Sequence, residues 1–309
     1  MVPSVSVITP SYNQGEFIER TIRSVLDQNI EDLEYLIVDG GSTDGTLDIL
    51  KAYEHRIRWI SERDRGQAHA INKGIRGTRG EIICWLNSDD IYYPGSLSAI
   101  QRFFHENPWC NVVYGDADHI DVHDDIIDAY YTEDWNYERL REVCFICQPA
   151  LFFRRRVTDL AGLLDESLKY CMDYEYWLRL GAYGRFRKLN QTLAGSRLYP
   201  ANKTLGSRVN VHREINDMLC KRLGYVPNRW VYNFAHAVVE QRGYQRDDPV
   251  KNIRYVLAVV GESISASFRW RGGLTLNAAK DMSIWLLASL KNLMEHLSSE
   301  NRLRRQPNR

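Results

Sequence analysis

A chain of 309 residues with 44% hydrophobic side chains is long enough to bury a large core, which excludes an intrinsically disordered protein. Its formal net charge of zero gives no global reason to expect a nucleic-acid partner. The charge is nevertheless uneven, because residues 250–309 hold 10 Lys or Arg and 4 Asp or Glu. We therefore expect a folded globular protein with a basic C-terminal region and no bound nucleic acid.

The N-terminal MVPSVSVITP lacks the basic region and the apolar length of a signal peptide. No uninterrupted apolar run reaches membrane-spanning length. Six scattered cysteines fit reduced thiols better than a disulfide framework. Cys144 and Cys147 have CxxC spacing, but no second pair completes a zinc site, so we interpret both as packing residues. These features predict a cytoplasmic protein or one that is peripheral at the inner face of the cell membrane.

Short β-rich runs and helical patterns alternate through the first part of the chain. The predicted strands are residues 5–9, 35–38, 57–60 and 82–86. The predicted helices between them are residues 16–28, 46–53 and 67–75. Strand, helix and strand at this interval indicate right-handed βαβ units, so the predicted fold class is α/β, with a Rossmann-like, mainly parallel sheet flanked by helices.

Each predicted strand ends in polar residues. The four clusters are Pro10-Ser11-Tyr12-Asn13, Asp39-Gly40-Gly41-Ser42, Glu62-Arg63-Asp64-Arg65-Gly66 and Asn87-Ser88-Asp89-Asp90. For any one of them, a helix cap or an Asx turn is a sufficient explanation. Because parallel strands deliver their carboxyl ends to one rim, four clusters in register favour a shared ligand crevice instead.

The adjacent carboxylates of Asp89 and Asp90 suit a divalent cation with oxygen ligands, Mg²⁺ or Mn²⁺, that keeps open positions for phosphate oxygens. Residues 39–45, DGGSTDG, have neither the GK[ST] of a P-loop nor the GxGxxG of a dinucleotide fold. This absence argues against a kinase, a GTPase or a nicotinamide enzyme. Asp39, at the end of the second strand, is placed to accept a hydrogen bond from a base or ribose.

Several longer motifs resemble family 2 glycosyltransferases with the GT-A fold. They are residues 9–28, 38–46, 61–75, 80–90, 146–157 and 163–180. The resemblance runs in the right order through about the first 205 residues. It implies a soluble inverting enzyme, of hexosyltransferase type, that moves a sugar from a nucleotide diphosphate donor to an acceptor hydroxyl. The donor implied is a UDP-sugar, and the acceptor is a carbohydrate or lipid-linked molecule in surface polysaccharide or glycolipid synthesis.

The resemblance also assigns roles by position at the nucleotide. Pro10, Tyr12 and Asp39 would line it, with Asp64 closing over the base or ribose and Asp89 contacting the ribose or donor sugar. We retain these as expectations about the site.

Two further carboxylates would perform the chemistry. Asp90 would ligate the metal, Mn²⁺ or Mg²⁺, and Asp173 in the stretch CMDYEYW matches the family's catalytic base. Inversion needs a base on the face opposite the leaving diphosphate, and a metal to take up the leaving charge. The alternative for residues 172–180 is an amphipathic helix with Asp173 near its N-terminus.

Two departures from the family pattern are visible. Residues 197–204 replace a loop whose basic groups reach the diphosphate in relatives, so Arg197 and Lys203 are expected donor-binding residues. Tyr199 stands where relatives often carry a metal-approaching histidine; His212 could substitute, although we favour a helix-face role for it. The QxxRW motif of processive members is absent, which predicts one sugar per encounter.

Residues 119–123, HIDVH, also have the residue types of a metal-binding segment. Their strict alternation, followed by Asp124 and Asp125, fits the solvated strand of a hairpin better.

The pattern changes after residue 208, so we predict a GT-A catalytic domain at 1–208 and a helical extension at 209–309. The helical segments are residues 212–223, 230–242, 250–265 and 275–300. The apolar stripe of the last one predicts packing on the catalytic domain, a homodimer, or contact with an anionic membrane surface.

Two other functions remain open at this point. A non-catalytic nucleotide-sugar-binding scaffold subunit is favoured by Tyr199 in place of histidine. A sugar nucleotidyltransferase on a related fold is the less favoured of the two, because this sequence lacks the Gly-rich N-terminal loop with which such enzymes activate a nucleoside triphosphate.

Overall fold

The computed structural model describes residues 2–304. They divide into two compact units, of which the first ends at Gly206 and the second begins at Ser207.

The first half of the N-terminal unit alternates strands and helices, as the sequence predicts. The strands are β1 Val5–Ser11, β2 Leu33–Asp39, β3 Arg58–Ser61 and β4 Ile82–Trp85. The helices are α1 Ile18–Leu26, α2 Thr46–Ala52 and α3 Gln67–Gly77. Strand β1 pairs in parallel with β2 and β4, and β2 pairs in parallel with β3. The carboxyl ends of these four strands therefore lie at one edge.

The second half of this unit makes the sheet mixed. Its strands are β5 Ile91–Tyr92, β6 Val112–Ile120, β7 Ile126–Ala129, β8 Leu151–Arg154 and β9 Arg187–Arg197. Its helices are α4 Ser96–Glu106, α5 Tyr137–Glu142, α6 Val157–Ala161, α7 Met172–Gly181 and α8 Lys203–Gly206. The described residues form a nine-stranded sheet of order β3-β2-β1-β4-β8-β6-β9-β5, with β7 paired to β6. Strand β8 pairs in antiparallel fashion with β4 and β6, whereas β6 pairs in parallel with β9.

The core lies on both faces of the parallel region. Every residue of β1 and β4 is buried, which is why both read as apolar runs rather than as alternating patterns. Helix α3 packs closely on β1 at Gly74, where an added Cβ would lie 2.3 Å from Cγ2 of Ile8. Only glycine allows this approach of the helix to the strand.

The segment at residues 119–123 belongs to a hairpin, as its alternation indicates. Strand β6 ends at Ile120 and pairs in antiparallel fashion with β7 across a turn at residues 121–125. One oxygen of Asp121 accepts hydrogen bonds from the backbone N–H groups of His123, at 2.7 Å, and Asp125, at 3.0 Å. The polar residues of this segment thus organise a turn.

The C-terminal unit is helical. Its helices are α9 Arg208–Leu223, α10 Asn228–Gln241, α11 Pro249–Arg271 and α12 Leu276–Arg304. Each helix packs on the next, around a core of Ala235, Val239, Tyr255 and Val259. Within the described part of the chain, no helix combines the length and the apolar character needed to cross a bilayer.

Candidate active site

A cleft of about 1090 Å³ opens where the carboxyl ends of the parallel strands meet the start of α7 and the end of β9. Most of the residues in the segments 10–14, 63–70, 85–90, 166–173 and 196–204 line it, together with Gly40, Gly41 and Gln148. Eight predicted site residues line it: Pro10, Tyr12, Asp64, Asp89, Asp90, Asp173, Arg197 and Lys203. Residues that are far apart in the sequence are therefore brought to one crevice.

Asp39 is the predicted site residue that does not line the cleft. Its side chain is buried, and one oxygen accepts hydrogen bonds from the N–H groups of Gly41, at 3.0 Å, and Ser42, at 2.9 Å, and from the hydroxyl of Ser61, at 2.6 Å. The hydroxyl of Ser42 donates to the other oxygen at 2.5 Å. Its oxygens join the loop after β2 to the end of β3, and contact of Asp39 with a base or ribose stays a prediction.

Tyr12, Gly40 and Asp64 form one end of the cleft. Tyr12 is 60% exposed. A Cβ added at Gly40 would lie 2.9 Å from Oδ2 of Asp64 and 3.4 Å from Cδ2 of Tyr12. Even a methyl group at residue 40 would crowd Asp64, so glycine allows the turn after β2 to lie close to both side chains. Gly40 was missed as a site residue, although the DGG turn at residues 39–41 was its signal.

Asp90 is a buried carboxylate that lines the cleft. Oδ1 accepts a hydrogen bond from the backbone N–H of Arg197 at 2.8 Å, and Oδ2 accepts one from the side chain of Asn87 at 3.2 Å. The hydroxyl of Thr21, on α1, donates to the Asp90 carbonyl at 2.8 Å. Burial, reinforced by the neighbouring Asp89 charge, raises the pKa of Asp90 to about 8. At neutral pH the buried charge of this carboxylate is therefore neutralised either by a proton or by a bound cation.

The side chain of Asp89 is hydrogen-bonded by Tyr199, the residue that stands in place of the family's histidine. The hydroxyl of Tyr199 donates to Oδ2 of Asp89 at 2.9 Å, and its ring lies 5.0 Å from that of Phe17. Burial also raises the pKa of Asp89, although the Tyr199 hydrogen bond opposes that shift. In place of an imidazole, the chain therefore offers a neutral hydroxyl that orients one of the two carboxylates.

The Asp89–Asp90 pair fits a divalent cation. Two adjacent carboxylates that burial holds towards their protonated forms gain most from a cation, which replaces the proton and removes the repulsion. Among residues 2–304, no group of three or more His, Cys, Asp or Glu side chains is placed to hold a metal. The protein's carboxylates alone would leave open positions for phosphate oxygens and water, as Mg²⁺ and Mn²⁺ prefer.

Arg197 reaches the cleft with its backbone, but its guanidinium points elsewhere. The side chain is fully buried, and Nε donates to the Asp89 carbonyl at 2.7 Å. The other nitrogens bond the Asp121 carbonyl and form an ion pair with Asp124 in the hairpin turn. These donors bond to protein oxygens, and contact of Arg197 with the diphosphate stays a prediction. Arg197 anchors the segment that carries the two carboxylates.

Lys203 is an exposed cation at the cleft wall. Its ammonium donates to Oε1 of Gln67 at 2.7 Å and to the Lys169 carbonyl at 3.1 Å, and its charge lowers the pKa of Asp89 against the larger effect of burial. Arg63 and Arg65 also line the cleft. The sequence places both in a strand-end cluster, yet they were not predicted as donor-binding residues.

Asp173 lies in the first turn of α7 and accepts a hydrogen bond from the backbone N–H of Tyr174 at 2.8 Å. The helix is fixed to the sheet because Trp177 stacks on Trp85 of β4, with ring centroids 5.1 Å apart. The buried Cys147 thiol is close enough to both Asp90 and Asp173 for their charges to affect its pKa. Burial raises its pKa, and the charges of Asp90 and Asp173 act in the same direction. A helical element therefore carries Asp173 into the cleft that holds Asp90.

His212, the alternative metal ligand, lies on α9 in the C-terminal unit. Its ring is 6.2 Å from that of Trp230, and burial lowers its pKa to about 4. This environment agrees with a helix-face role for a neutral imidazole.

The sequence matches the model of the glycosyl transferase family 2 over residues 6–159. The putative teichuronic acid biosynthesis glycosyltransferase TuaG of Bacillus subtilis is 30% identical, over 78% of this chain and 98% of its own length. The chain belongs to glycosyl transferase family 2. The match confirms the family that the motifs indicate, and the cleft is the candidate active site.

Other relatives are longer. The chondroitin synthase of Escherichia coli is 32% identical over 72% of this chain, but the match spans only 33% of that protein. This chain therefore corresponds to one part of that enzyme.

Solved structures confirm the predicted GT-A fold. S. aureus TarS 1-349 in complex with UDP-GlcNAc superimposes with a TM-score of 0.59 at 15% identity, covering 95% of this chain and 92% of that one. The mannosyltransferase PcManGT of Pyrobaculum calidifontis, in complex with GDP-Man and Mn²⁺, gives a TM-score of 0.58 at 17% identity, covering 96% and 88%. The fold is shared with enzymes that bind nucleotide sugars.

Proposed function

We propose that this family 2 member is an inverting, metal-dependent glycosyltransferase that uses a UDP-sugar and Asp173 as its base. The observation that carries the proposal is that Asp173, from a separate helix, lines the same cleft as the Asp89–Asp90 pair. A base and an anion-binding centre in one crevice are the two requirements of direct displacement at an anomeric carbon.

In this reaction the acceptor oxygen forms a bond to the anomeric carbon as the bond from that carbon to the diphosphate oxygen breaks. Asp173 takes the proton of the acceptor hydroxyl, and the electron pair of the broken bond leaves with the diphosphate. A divalent cation held by Asp90 would supply charge stabilisation for that leaving group. Lys203, exposed at the cleft wall, is the side chain that we assign to the diphosphate, with Arg63 and Arg65 adding positive charge.

The nucleotide would occupy the end of the cleft formed by Tyr12, Gly40 and Asp64, with Pro10 beside it. The exposed Tyr12 side chain and the Asp64 carboxylate, which line the same cleft, support this assignment because they offer a stacking face and a hydrogen-bond acceptor. UDP is supported by the TarS complex with UDP-GlcNAc, and a divalent metal by the PcManGT complex with GDP-Man and Mn²⁺. Relatives named for chondroitin synthesis and teichuronic acid biosynthesis support an acceptor in surface polysaccharide or glycolipid assembly.

Nucleotide specificity is tested by thermal unfolding with UDP, GDP, dTDP or CDP, each with and without Mn²⁺. A ligand at 100 times its Kd stabilises a protein by about 2.7 kcal/mol, which is readily detected. We expect a metal-dependent increase in Tm with UDP that Asp90→Ala abolishes. A response to GDP alone would refute the UDP assignment, and a full response without metal would refute the role of Asp90.

Transfer is tested by release of UDP from a panel of UDP-sugars with soluble saccharide acceptors. Asp173→Asn is expected to lower turnover about 10²- to 10⁴-fold while nucleotide binding is retained. Asp159→Asn, an exposed carboxylate of α6 outside the cleft, is the matched control and should be fully active. Inversion is read from the anomeric coupling constant of the product.

The scaffold alternative makes a different prediction for the same panel. Nucleotide binding without turnover of any donor, including slow hydrolysis, would establish it and remove the catalytic proposal. Tyr199 in the histidine position is the observation that favours it, since a hydroxyl replaces an expected metal ligand.

A further inference from the structure

Helix α12 presents two apolar faces. One faces the core of the C-terminal unit: Ala278, Met282 and Ser289 are buried there, and Trp285 packs against the Tyr232 ring at 4.7 Å. Residues spaced by three or four positions lie on one side of a helix, so this face is explained by packing within the unit.

The second apolar face is exposed to solvent. Its members are Leu276, Ile284, Leu287, Leu290, Met294 and Leu297. Leu287 is 67% exposed and Met294 is 64% exposed. A helix that is apolar on both sides requires a partner for each, and a contiguous exposed patch of this kind marks an interaction surface.

Basic residues accompany this exposed face. Positions 280, 284, 287, 291 and 294 follow the three- and four-residue spacing of one helix side, so Lys280 and Lys291 lie in line with Ile284, Leu287 and Met294. Lys291 is highly exposed, and its Glu295 partner is 3.9 Å away, at the outer limit of an ion pair. Residues 302–309 add four arginines and no acidic residue.

We propose that this face of α12 binds in the plane of an anionic membrane surface. Apolar side chains flanked by lysines match an interfacial helix, whose apolar side enters the acyl boundary while cations meet acidic headgroups. A second copy of the chain fits less well. A two-fold contact would place two copies of the same basic surface against each other, whereas acidic lipid complements it.

Co-sedimentation with vesicles tests this proposal on the full chain, without donor or acceptor. We compare phosphatidylcholine vesicles with vesicles that contain phosphatidylglycerol as well. Binding should need the anionic lipid, and Lys280→Gln with Lys291→Gln should weaken it about fivefold for each charge removed. Equal binding to both vesicle types, or no binding to either, would overturn the proposal.

A charge-matched pair of variants isolates the apolar contribution. Leu287→Glu with Met294→Glu places two charges in the exposed face and should lower partitioning by at least about tenfold for each side chain. Ala288→Glu with Asn292→Glu adds the same charge at exposed positions outside that face, and should retain most of the binding. Circular dichroism verifies that both double variants are folded, and equal losses in both pairs would refute an apolar contact.

Sedimentation velocity distinguishes the second-copy alternative. A stable dimer that only the Leu287→Glu, Met294→Glu protein loses would assign the face to self-association, and would overturn membrane binding. Because neither assay involves nucleotide or turnover, failure here leaves the glycosyltransferase proposal unaffected.

Discussion

Asp124 is expected to control the metal-binding carboxylates from a hairpin that does not line the cleft. It adopts a left-handed backbone conformation, with φ of 74°, and its carboxylate pairs with the buried Arg197 and, at 3.0 Å, with Arg20. Asp124→Asn is the informative change, because asparagine tolerates this conformation while the charge is removed. The variant leaves the Arg197 guanidinium buried without its carboxylate partner.

The magnitude follows from burial. Removing one partner of a fully buried ion pair costs about 3–5 kcal/mol. The Arg197 side chain is 0% exposed but that of Asp124 is 31% exposed, and the guanidinium keeps its bonds to the Asp89 and Asp121 carbonyls. Solvent screening and these remaining bonds reduce the expected loss to about 1–3 kcal/mol in the free energy of unfolding.

Urea unfolding measures this loss, and the Tm increase with UDP and Mn²⁺ reports on the cleft. Asp124→Asn should reduce both, because Arg197 also holds the Asp89 carbonyl and, through its backbone, the Asp90 carboxylate. Asp125→Asn, the next residue of the same turn and exposed to solvent, is the control. Equal stability and equal nucleotide response in the two variants would show that the hairpin does not position the carboxylates.

Three further outcomes are expected. Gly74→Ala should lower the free energy of unfolding by about 1–3 kcal/mol, because the new methyl group overlaps Ile8. Gly45→Ala is the control and should not destabilise the protein, because no atom lies within 4 Å of the added Cβ. Equal effects of the two substitutions in urea unfolding would refute the close packing of α3 on β1. Tyr199→Phe should weaken UDP–Mn²⁺ binding about tenfold by freeing Asp89, and unchanged titration curves would contradict that role. The pKa of His212 is lowered from 6.5 to about 4, so the unfolded chain binds the extra proton and stability should fall as pH decreases through this window. His212→Gln should make the free energy of unfolding, measured by fluorescence, depend less on pH between 6.5 and 4. An unchanged pH dependence would show that His212 is not the group responsible.

The amino-acid sequence by itself determined the first half of the fold and most of the cleft. The strands around Val7, Leu36 and Ile83 and the helices between them follow from local hydrophobic period and turn residues. Right-handed parallel connections then place the residues after each strand at one rim, which is why Tyr12, Asp64 and the Asp89–Asp90 pair are found together.

Only the tertiary structure decided what two of those polar groups do. Asp39 and Arg197 have the residue types and positions expected of ligand-binding groups, and in the structure both also bond to distant parts of the protein. Arg197 turns inward because a hairpin at residues 121–125 supplies the Asp124 carboxylate and a carbonyl, and Asp39 because Ser61 reaches it from the neighbouring strand. Such partners lie many residues away, so the choice between facing a ligand and facing the protein depends on contacts that no local pattern encodes.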